Sequence, residues 1–428
     1  MHDADGTTSS VAKIFANVFI SFVGAGVLGL PYAFKEAGIV EGSLVMVMIA
    51  IISSKAMLLI IDCKDFVQAK RGPDEVTIPL VPLADSKVDA TDDAVQSVDS
   101  PRPVRPKITS AMDYGDVGYH AMGTNGRILV DISIVVSQTG FCCAYLIFIS
   151  QNMAQMFKTY VPIHENGYLA ILLAPLAGLA LLRTLGSLAI FSAFADFANI
   201  LAYTIVFWFD FEHLNEIPFR PRIASASSFP FFLSVAIFCY EGAGMILSLE
   251  SSVSLEVRHK FKPIFLMAMA VITTLYVGFG VCGYMTFGPH TKNIVTLNLP
   301  EGFLPVLVKS CLCFSLLFTY PVMMFPVIRI IESQFSQENM EQWKSVLLRF
   351  CMVILTILIV LIIPDFSVMI ALIGSTCCTL LAFILPAIFH IRIFGGKLTR
   401  WQMSLDYFLI VVGFVGGSLG LRDALTRL

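Results

Sequence analysis

Residues 24–30 read Gly-Ala-Gly-Val-Leu-Gly-Leu, and residues 242–249 read Gly-Ala-Gly-Met-Ile-Leu-Ser-Leu. Each stretch lies inside a long apolar run, where a single Gly pair more often serves close helix packing than a break. Two such stretches, in two separate apolar runs, favour a break in each helix instead. We expect both helices to be interrupted near the middle of a membrane, and simple packing glycines stay open as the alternative.

The composition around these stretches is that of an integral membrane protein. Hydrophobic residues make up 57% of the 428 residues and charged residues only 14%, whereas a soluble domain carries about a quarter charged residues. A water-soluble fold is therefore excluded. The sequence has no basic stripe interleaved with aromatics, so we expect no nucleic-acid partner. Cysteine and histidine show no metal-ligand spacing, so we expect no metal and no cofactor.

A membrane-spanning α-helix needs about 20 mostly apolar residues. By this criterion the sequence contains about eleven candidate spans. The two Gly pairs lie five spans apart, so spans one and six cross in opposite directions. This predicts an all-α polytopic membrane fold with an inverted repeat of five plus five helices and one further C-terminal helix. The predicted spans are residues 13–34, 40–61, 128–157, 167–182, 187–209, 229–249, 263–287, 303–331, 346–363, 366–391 and 403–421.

The predicted spans divide the chain into two halves, residues 13–209 and 229–391. With the N-terminal tail, residues 1–12, in the cytosol, Lys and Arg are about twice as frequent in the cytosolic connections as in the outer ones, and this distribution favours that orientation. A polar insert at residues 63–112 has too few apolar residues to build a core, so we expect a disordered cytosolic loop.

An interrupted membrane helix leaves main-chain groups without partners, and a substrate can supply them. N–H groups at the positive end of a half-helix suit a carboxylate, and carbonyl groups suit an ammonium. A zwitterionic α-amino acid carries both, which makes it the expected substrate. Aromatic residues, Tyr145 among them, could surround the substrate side chain, although a single aromatic residue in a span more often serves helix packing. The expected substrate-binding residues are Gly24, Ala25, Gly26, Val27, Phe141, Phe238, Cys239, Tyr240, Gly242, Ala243, Gly244 and Phe314.

Two carboxyl residues lie clearly inside predicted spans, Asp196 and Glu241. A charge at a helix centre costs about 2.5–3.5 kcal/mol, and removal from water favours the neutral form of a carboxyl group. Either residue could therefore take up a proton reversibly, as a proton-coupled carrier requires. The alternative is a carboxylic acid that hydrogen-bonds the structure and never changes protonation.

The residues around the Gly pairs also carry a family resemblance. The matching stretches are Asn-Val-Phe at 17–19 with Gly24 to Phe34, then Phe-Cys-Tyr-Glu-Gly at 238–242, then residues 279–288. Residues 114–119, 192–196 and 374–376 agree as well. The sequence resembles the amino acid/auxin permease family, and most of all its plant aromatic and neutral amino acid transporters and its vacuolar neutral amino acid exporters.

The resemblance implies the fold of sodium-coupled leucine carriers and the transport of neutral or aromatic amino acids, with auxin as a further candidate. It also implies coupling to protons rather than sodium, a vacuolar or plasma membrane location, and a monomer in the lipid bilayer. Some animal relatives carry a histidine at the place of Asn17, so coupling does not transfer through that residue.

Two functions from different classes stay open. The first is a secondary transporter, and the second is an amino acid sensor or receptor that uses the same pocket without significant flux. A membrane enzyme would need a catalytic cluster of His, Asp or Glu within the spans, and the sequence shows none, so we expect no enzyme.

Overall fold

The computed structural model describes residues 2–70, 112–158, 163–180, 185–212, 226–254, 256–335 and 342–428, with side chains for all of these except 2–10, 180, 185–194, 196, 226, 335 and 342. These residues are almost entirely helical and contain no strand. The helices are α1 (His2–Phe22), α2 (Leu30–Ala37), α3 (Ile39–Lys70), α4 (Tyr114–Met122), α5 (Thr124–Met156), α6 (Glu165–Ala180), α7 (Leu185–Glu212), α8 (Phe229–Cys239), α9 (Ile246–Ser251), α10 (Phe261–Phe287), α11 (Phe303–Phe335), α12 (Gln342–Ile362), α13 (Phe366–Ile373), α14 (Leu385–Phe394) and α15 (Arg400–Thr426).

Seven helices within the described ranges are long and apolar enough to cross a bilayer, and a bent pair, 11–22 with 25–37, makes an eighth. The all-α polytopic class is thus confirmed. The remaining predicted spans correspond to α6, to α7 with its partly undescribed side chains, and to the short pair α8 and α9. These helices are too short or too incompletely described for the same test, so the count of eleven spans stays a prediction.

Both Gly-rich stretches interrupt their helices. The chain bends by 50° between the helical segments 11–22 and 25–37. α8 ends at Cys239 and α9 begins only at Ile246. The expected interruptions are therefore present, and the alternative of continuous helices with packing glycines is wrong at both places.

The two ends of the helix bundle differ in their polar contacts. At one end, called the Lys35 end, the Lys35 ammonium donates to the Thr291 carbonyl at 3.2 Å. At the other, called the Lys64 end, Lys64 is paired with Glu250, and Arg258 Nε lies 3.4 Å from Glu250 Oε1. Lys64 and Glu250 are buried, and a buried pair resists the removal of either partner, at a cost of about 3–5 kcal/mol.

Two boundaries differ from the sequence prediction. α3 continues to Lys70, so residues 63–70 of the predicted loop are helical, because hydropathy marks the membrane boundary rather than the end of a helix. α1 begins at His2, so the predicted tail continues the first helix, since no proline interrupts it. Residues 71–111 of the predicted loop lie outside the described residues.

A second departure from regular helix lies between α13 and α14. Two π-helical turns, Gly374–Cys378 and Leu380–Ile384, connect them. The Thr379 hydroxyl donates to the Gly374 carbonyl at 2.7 Å across the widened turn. The first π turn contacts α8, which leads to the second interruption.

Candidate functional site

The first interruption presents main-chain donors. Phe22 is the last residue of α1, and Gly24 takes an extended backbone conformation with φ −117° and ψ −168°. The N–H of Val27 donates to the Gly24 carbonyl at 3.3 Å and starts the 3-10 turn Ala25–Gly29. The first N–H groups of a helical segment have no acceptor within it. The start of this turn is therefore suited to an anion.

The second interruption is held by a carboxyl group. Glu241 Oε1 accepts a hydrogen bond from the N–H of Ala243 at 3.1 Å, and the Gly242 carbonyl accepts one from the N–H of Ile246 at 3.0 Å. Glu241 is buried, and its Oε2 has no hydrogen-bond partner among the described residues. One oxygen of this carboxyl group thus holds the backbone, and the other is available to carry a proton.

The two interruptions touch each other. A Cβ atom placed on Gly26 would lie 2.9 Å from Cys239 Sγ and 3.1 Å from the Phe238 ring. Gly242, at the second interruption, faces the ring of Phe22 at the end of α1 in the same way. Glycine is needed at residue 26 because the side chains at the end of α8 lie directly against its backbone. The two interruptions therefore pack against each other.

Two tyrosines donate to the carbonyl groups that the interruptions leave. The Tyr276 hydroxyl, on α10, lies 2.5 Å from the Phe22 carbonyl and 3.5 Å from the Cys239 carbonyl. The Tyr203 hydroxyl, on α7, donates to the Gly24 carbonyl at 3.1 Å. Sequence reasoning did not find these residues. The available signal was a phenol inside an apolar helix, whose hydroxyl needs a partner when buried.

A small cavity of about 50 Å³ lies where the interruptions meet. Seven of the predicted site residues line it: Gly24, Ala25, Gly26, Phe141, Phe238, Cys239 and Glu241. Tyr145, considered for the aromatic wall, lines it too, and the Phe141 and Phe238 rings meet edge to face at 4.8 Å. The lining residues that were not predicted are Ser21, Phe22, Met245, Tyr276 and Met323.

Five predicted residues lie beside the cavity without lining it. Val27 is buried in the apolar core. The Tyr240 ring is also fully buried and packs on Tyr276, with 5.4 Å between the ring centroids. The other three, at the second interruption, contribute backbone rather than surface: Gly242, Ala243 and Gly244.

Phe314, predicted for the substrate wall, is not among the residues that line the cavity. Its side chain is 37% exposed and packs on Phe318 with 4.5 Å between the ring centroids. Successive helix residues turn by about 100°, so Phe314 faces almost opposite to Leu316, which is buried. The side chain of Asp196, the second predicted proton-coupling residue, lies outside the described residues.

Comparison with known families gives one match over nearly the whole chain. The family model described as transmembrane amino acid transporter protein matches residues 7–77 and 104–424. Both interruptions, the two tyrosines and Glu241 lie within the matched ranges. The unmatched residues 78–103 fall inside the polar insert.

Individual relatives agree with this match. The chain is 33% identical to amino acid transporter ANT1 of Arabidopsis thaliana over 430 residues, covering 96% of this chain and 91% of that protein. It is 33% identical to amino acid transporter AVT3C of the same plant, covering 98% and 91%. Vacuolar amino acid transporter 3 of Schizosaccharomyces pombe is 27% identical, covering 92% and 54%. Among solved structures, a Na⁺-coupled sialic acid symporter matches with a TM-score of 0.43 and 9% identity, covering 98% of this chain and 96% of that one.

Proposed function

The chain belongs to the family of transmembrane amino acid transporter proteins, and from this premise we propose that it is a proton-coupled carrier of neutral and aromatic amino acids. Family membership agrees with the resemblance drawn from the motif residues and establishes membrane amino acid transport as the general activity. The substrate class and the coupling ion are parts of the proposal.

The contact between the two interruptions is the observation that carries this proposal. Donors at Ala25 and Gly26 begin a helical turn, and acceptors at Phe22 and Cys239 end two helices. An α-amino acid places a carboxylate and an ammonium within one small group and satisfies both sets. Auxin offers a carboxylate without an ammonium, so these carbonyl groups would keep the Tyr276 hydroxyl as their donor and gain none from the ligand, and auxin ranks behind amino acids.

The lining of the cavity supports neutral and aromatic side chains. Phe141, Tyr145 and Phe238 contribute rings, and Met245 and Met323 contribute thioethers, which adapt to different apolar shapes. Ligand pockets usually measure about 300–1,000 Å³, so this cavity of about 50 Å³ must widen before an amino acid enters. The conformation described is therefore a closed one, as alternating access between the two faces of the membrane requires.

α2 and Lys35 follow the first interruption and lie at the Lys35 end, whereas α1 precedes the interruption. Lys and Arg in the connections favour a cytosolic location for the opposite end. We propose that the Lys35 end faces away from the cytosol, with residues 13–209 and 229–391 as inverted halves and a monomer as the working unit.

Glu241 is the residue we propose for proton coupling. It is the only carboxyl group among the residues that line the cavity. Its partnerless Oε2 can take a proton when substrate is bound and lose it on the other side of the membrane. Protons rather than sodium are the proposed coupling ion, in a vacuolar or plasma membrane.

Uptake into proteoliposomes separates transport from sensing. Purified protein would be reconstituted, and radiolabelled phenylalanine and alanine would be offered with an imposed proton gradient. We expect accumulation above the external concentration that collapses when a protonophore is added. Binding without accumulation or exchange would instead support the sensor, and accumulation unaffected by the protonophore would remove proton coupling.

The two tyrosines give a prediction about stability. Tyr276→Phe leaves the Phe22 carbonyl without its donor, and an unsatisfied buried acceptor costs about 1–3 kcal/mol. Tyr203→Phe costs less, because the Gly24 carbonyl keeps the hydrogen bond from the N–H of Val27 at 3.3 Å. Melting temperatures of the purified variants without substrate should rank wild type above Tyr203→Phe above Tyr276→Phe. A Tyr276→Phe variant as stable as wild type would show that this hydroxyl does not hold the interruption.

A further inference from the structure

Asp210 is a buried carboxyl residue that the proposed transport site does not use. It lies near the end of α7, and its side chain has no exposed surface. Neither Oδ1 nor Oδ2 has a hydrogen-bond partner among the described residues. The predicted fifth span ends at residue 209, so hydropathy provides no reason to expect Asp210 in the interior.

Three helices converge on this carboxyl group. A Cβ atom placed on Gly283 of α10 would lie 3.4 Å from Asp210 Oδ2 and 2.6 Å from the Pro31 ring of α2. The Thr286 hydroxyl donates to the Asp210 main-chain carbonyl at 3.0 Å and ties α10 to α7. Asp210 therefore lies beside the first turn of α2, the segment that follows the first interruption.

The lysine side chains of α2 and α11 are engaged elsewhere. On α11, the Lys309 ammonium donates to Gln155 Oε1 at 3.1 Å, and on α2 the Lys35 ammonium donates to the Thr291 carbonyl. The titratable group of α10 near Asp210 is the Cys282 thiol, which supplies no positive charge. An ionised carboxylate here would be buried with no partner from the part of the chain that the structure describes, which is among the costliest arrangements in a protein interior.

We propose that Asp210 is a proton-binding site that stays protonated while α2 is closed against α7 and α10. Opening of the Lys35 end would separate Pro31 from Gly283 and admit water, and the carboxyl group would then release its proton to that water. This site is separate from Glu241, which lies at the second interruption. The proposal concerns the proton content of one conformation, so it goes beyond the proposed transport function and holds for a carrier or a sensor.

The pH dependence of stability tests this site without any substrate. The Asp210 carboxyl group of the unfolded chain is already ionised at neutral pH. If folded Asp210 keeps its proton there, the folded state binds more protons than the unfolded chain, and stability falls as pH rises. Melting temperatures of the full-length protein would be measured in one detergent between pH 6 and pH 9. We expect the melting temperature of wild type to fall across this range, and that of Asp210→Asn to fall by at least about 2 °C less.

Asp62→Asn is the matched control, because Asp62 is a partly exposed carboxyl that pairs with Lys262 at 2.7 Å. Its melting temperature should follow the wild-type pH slope in this range, whatever its offset. Asp210→Ser, which also cannot ionise, replaces Asp210→Asn if that variant does not accumulate. Equal slopes in wild type and the Asp210 variant, or a variant destabilised most at high pH, would overturn the proposal. Since melting needs no transport, failed uptake would not affect this result.

Discussion

Gly26→Val is expected to abolish uptake of amino acids. Its Cβ would already lie 2.9 Å from Cys239 Sγ and 3.1 Å from the Phe238 ring, before the two γ-methyl groups are added. Overpacking a tight contact costs about 1–3 kcal/mol. Here the added methyl groups would push apart the two interruptions, whose groups must act together. We expect the initial rate of uptake into proteoliposomes to fall by at least about tenfold and towards the background of empty vesicles.

Gly178→Val is the matched control for this prediction. A Cβ on Gly178, in α6, meets nothing within 4 Å, and Gly178 does not line the cavity. This variant should keep most of the wild-type rate. Both variants would first be shown to be monodisperse after purification. Normal uptake by Gly26→Val, or equal loss in both variants, would contradict the assignment of the site to the contact between the interruptions.

Glu241→Gln is expected to remove the coupling of transport to the proton gradient. The glutamine side-chain oxygen can still accept from the N–H of Ala243, as Glu241 Oε1 does at 3.1 Å, so the interruption stays held. The amide cannot gain or lose a proton near neutral pH. One pH unit is worth about 1.4 kcal/mol, or tenfold in accumulation for one coupled proton. Accumulation by the variant should change by less than about twofold per pH unit of imposed gradient, while the variant still exchanges substrate.

Glu36→Gln provides the comparison for the coupling experiment. Glu36 lies at the Lys35 end, 3.3 Å from Arg427, and does not line the cavity. Its loss should leave the dependence of accumulation on the imposed gradient unchanged. A wild-type response to the gradient in Glu241→Gln would remove Glu241 from the mechanism and leave Asp196 and Asp210 as the carboxyl groups to test.

The sequence predicted the interruptions because their signal is local. A repeated Gly-rich stretch inside two apolar runs has few structural explanations, and the placement of Gly26 and Glu241 followed from it. Tyr276 could not be found in this way. Its role depends on α10 crossing both interruptions, and that crossing is a property of the packed bundle rather than of the residues around the tyrosine.

The positions of Phe314 and Asp210 could not be predicted from the sequence, for different physical reasons. The sequence predicts Phe314 in the substrate wall only because of the helix on which it lies. That helix packs on α5 and α7, and this packing sets its rotation and turns the Phe314 ring outward. Asp210 falls one residue beyond the predicted fifth span, where hydropathy reports a membrane boundary. Burial there comes from α2 and α10, which lie far away in the sequence.

Competition by substrate fragments tests the central claim most directly. Phenylalanine, 3-phenylpropionate and phenethylamine share a ring and differ in which ends of the zwitterion they keep. Each would be added in excess during uptake of radiolabelled phenylalanine into proteoliposomes. We expect strong inhibition by phenylalanine and little by either fragment, because each fragment leaves one interruption without its partner. Inhibition by one fragment as strong as that by phenylalanine would show that the site does not bind both ends of the amino acid.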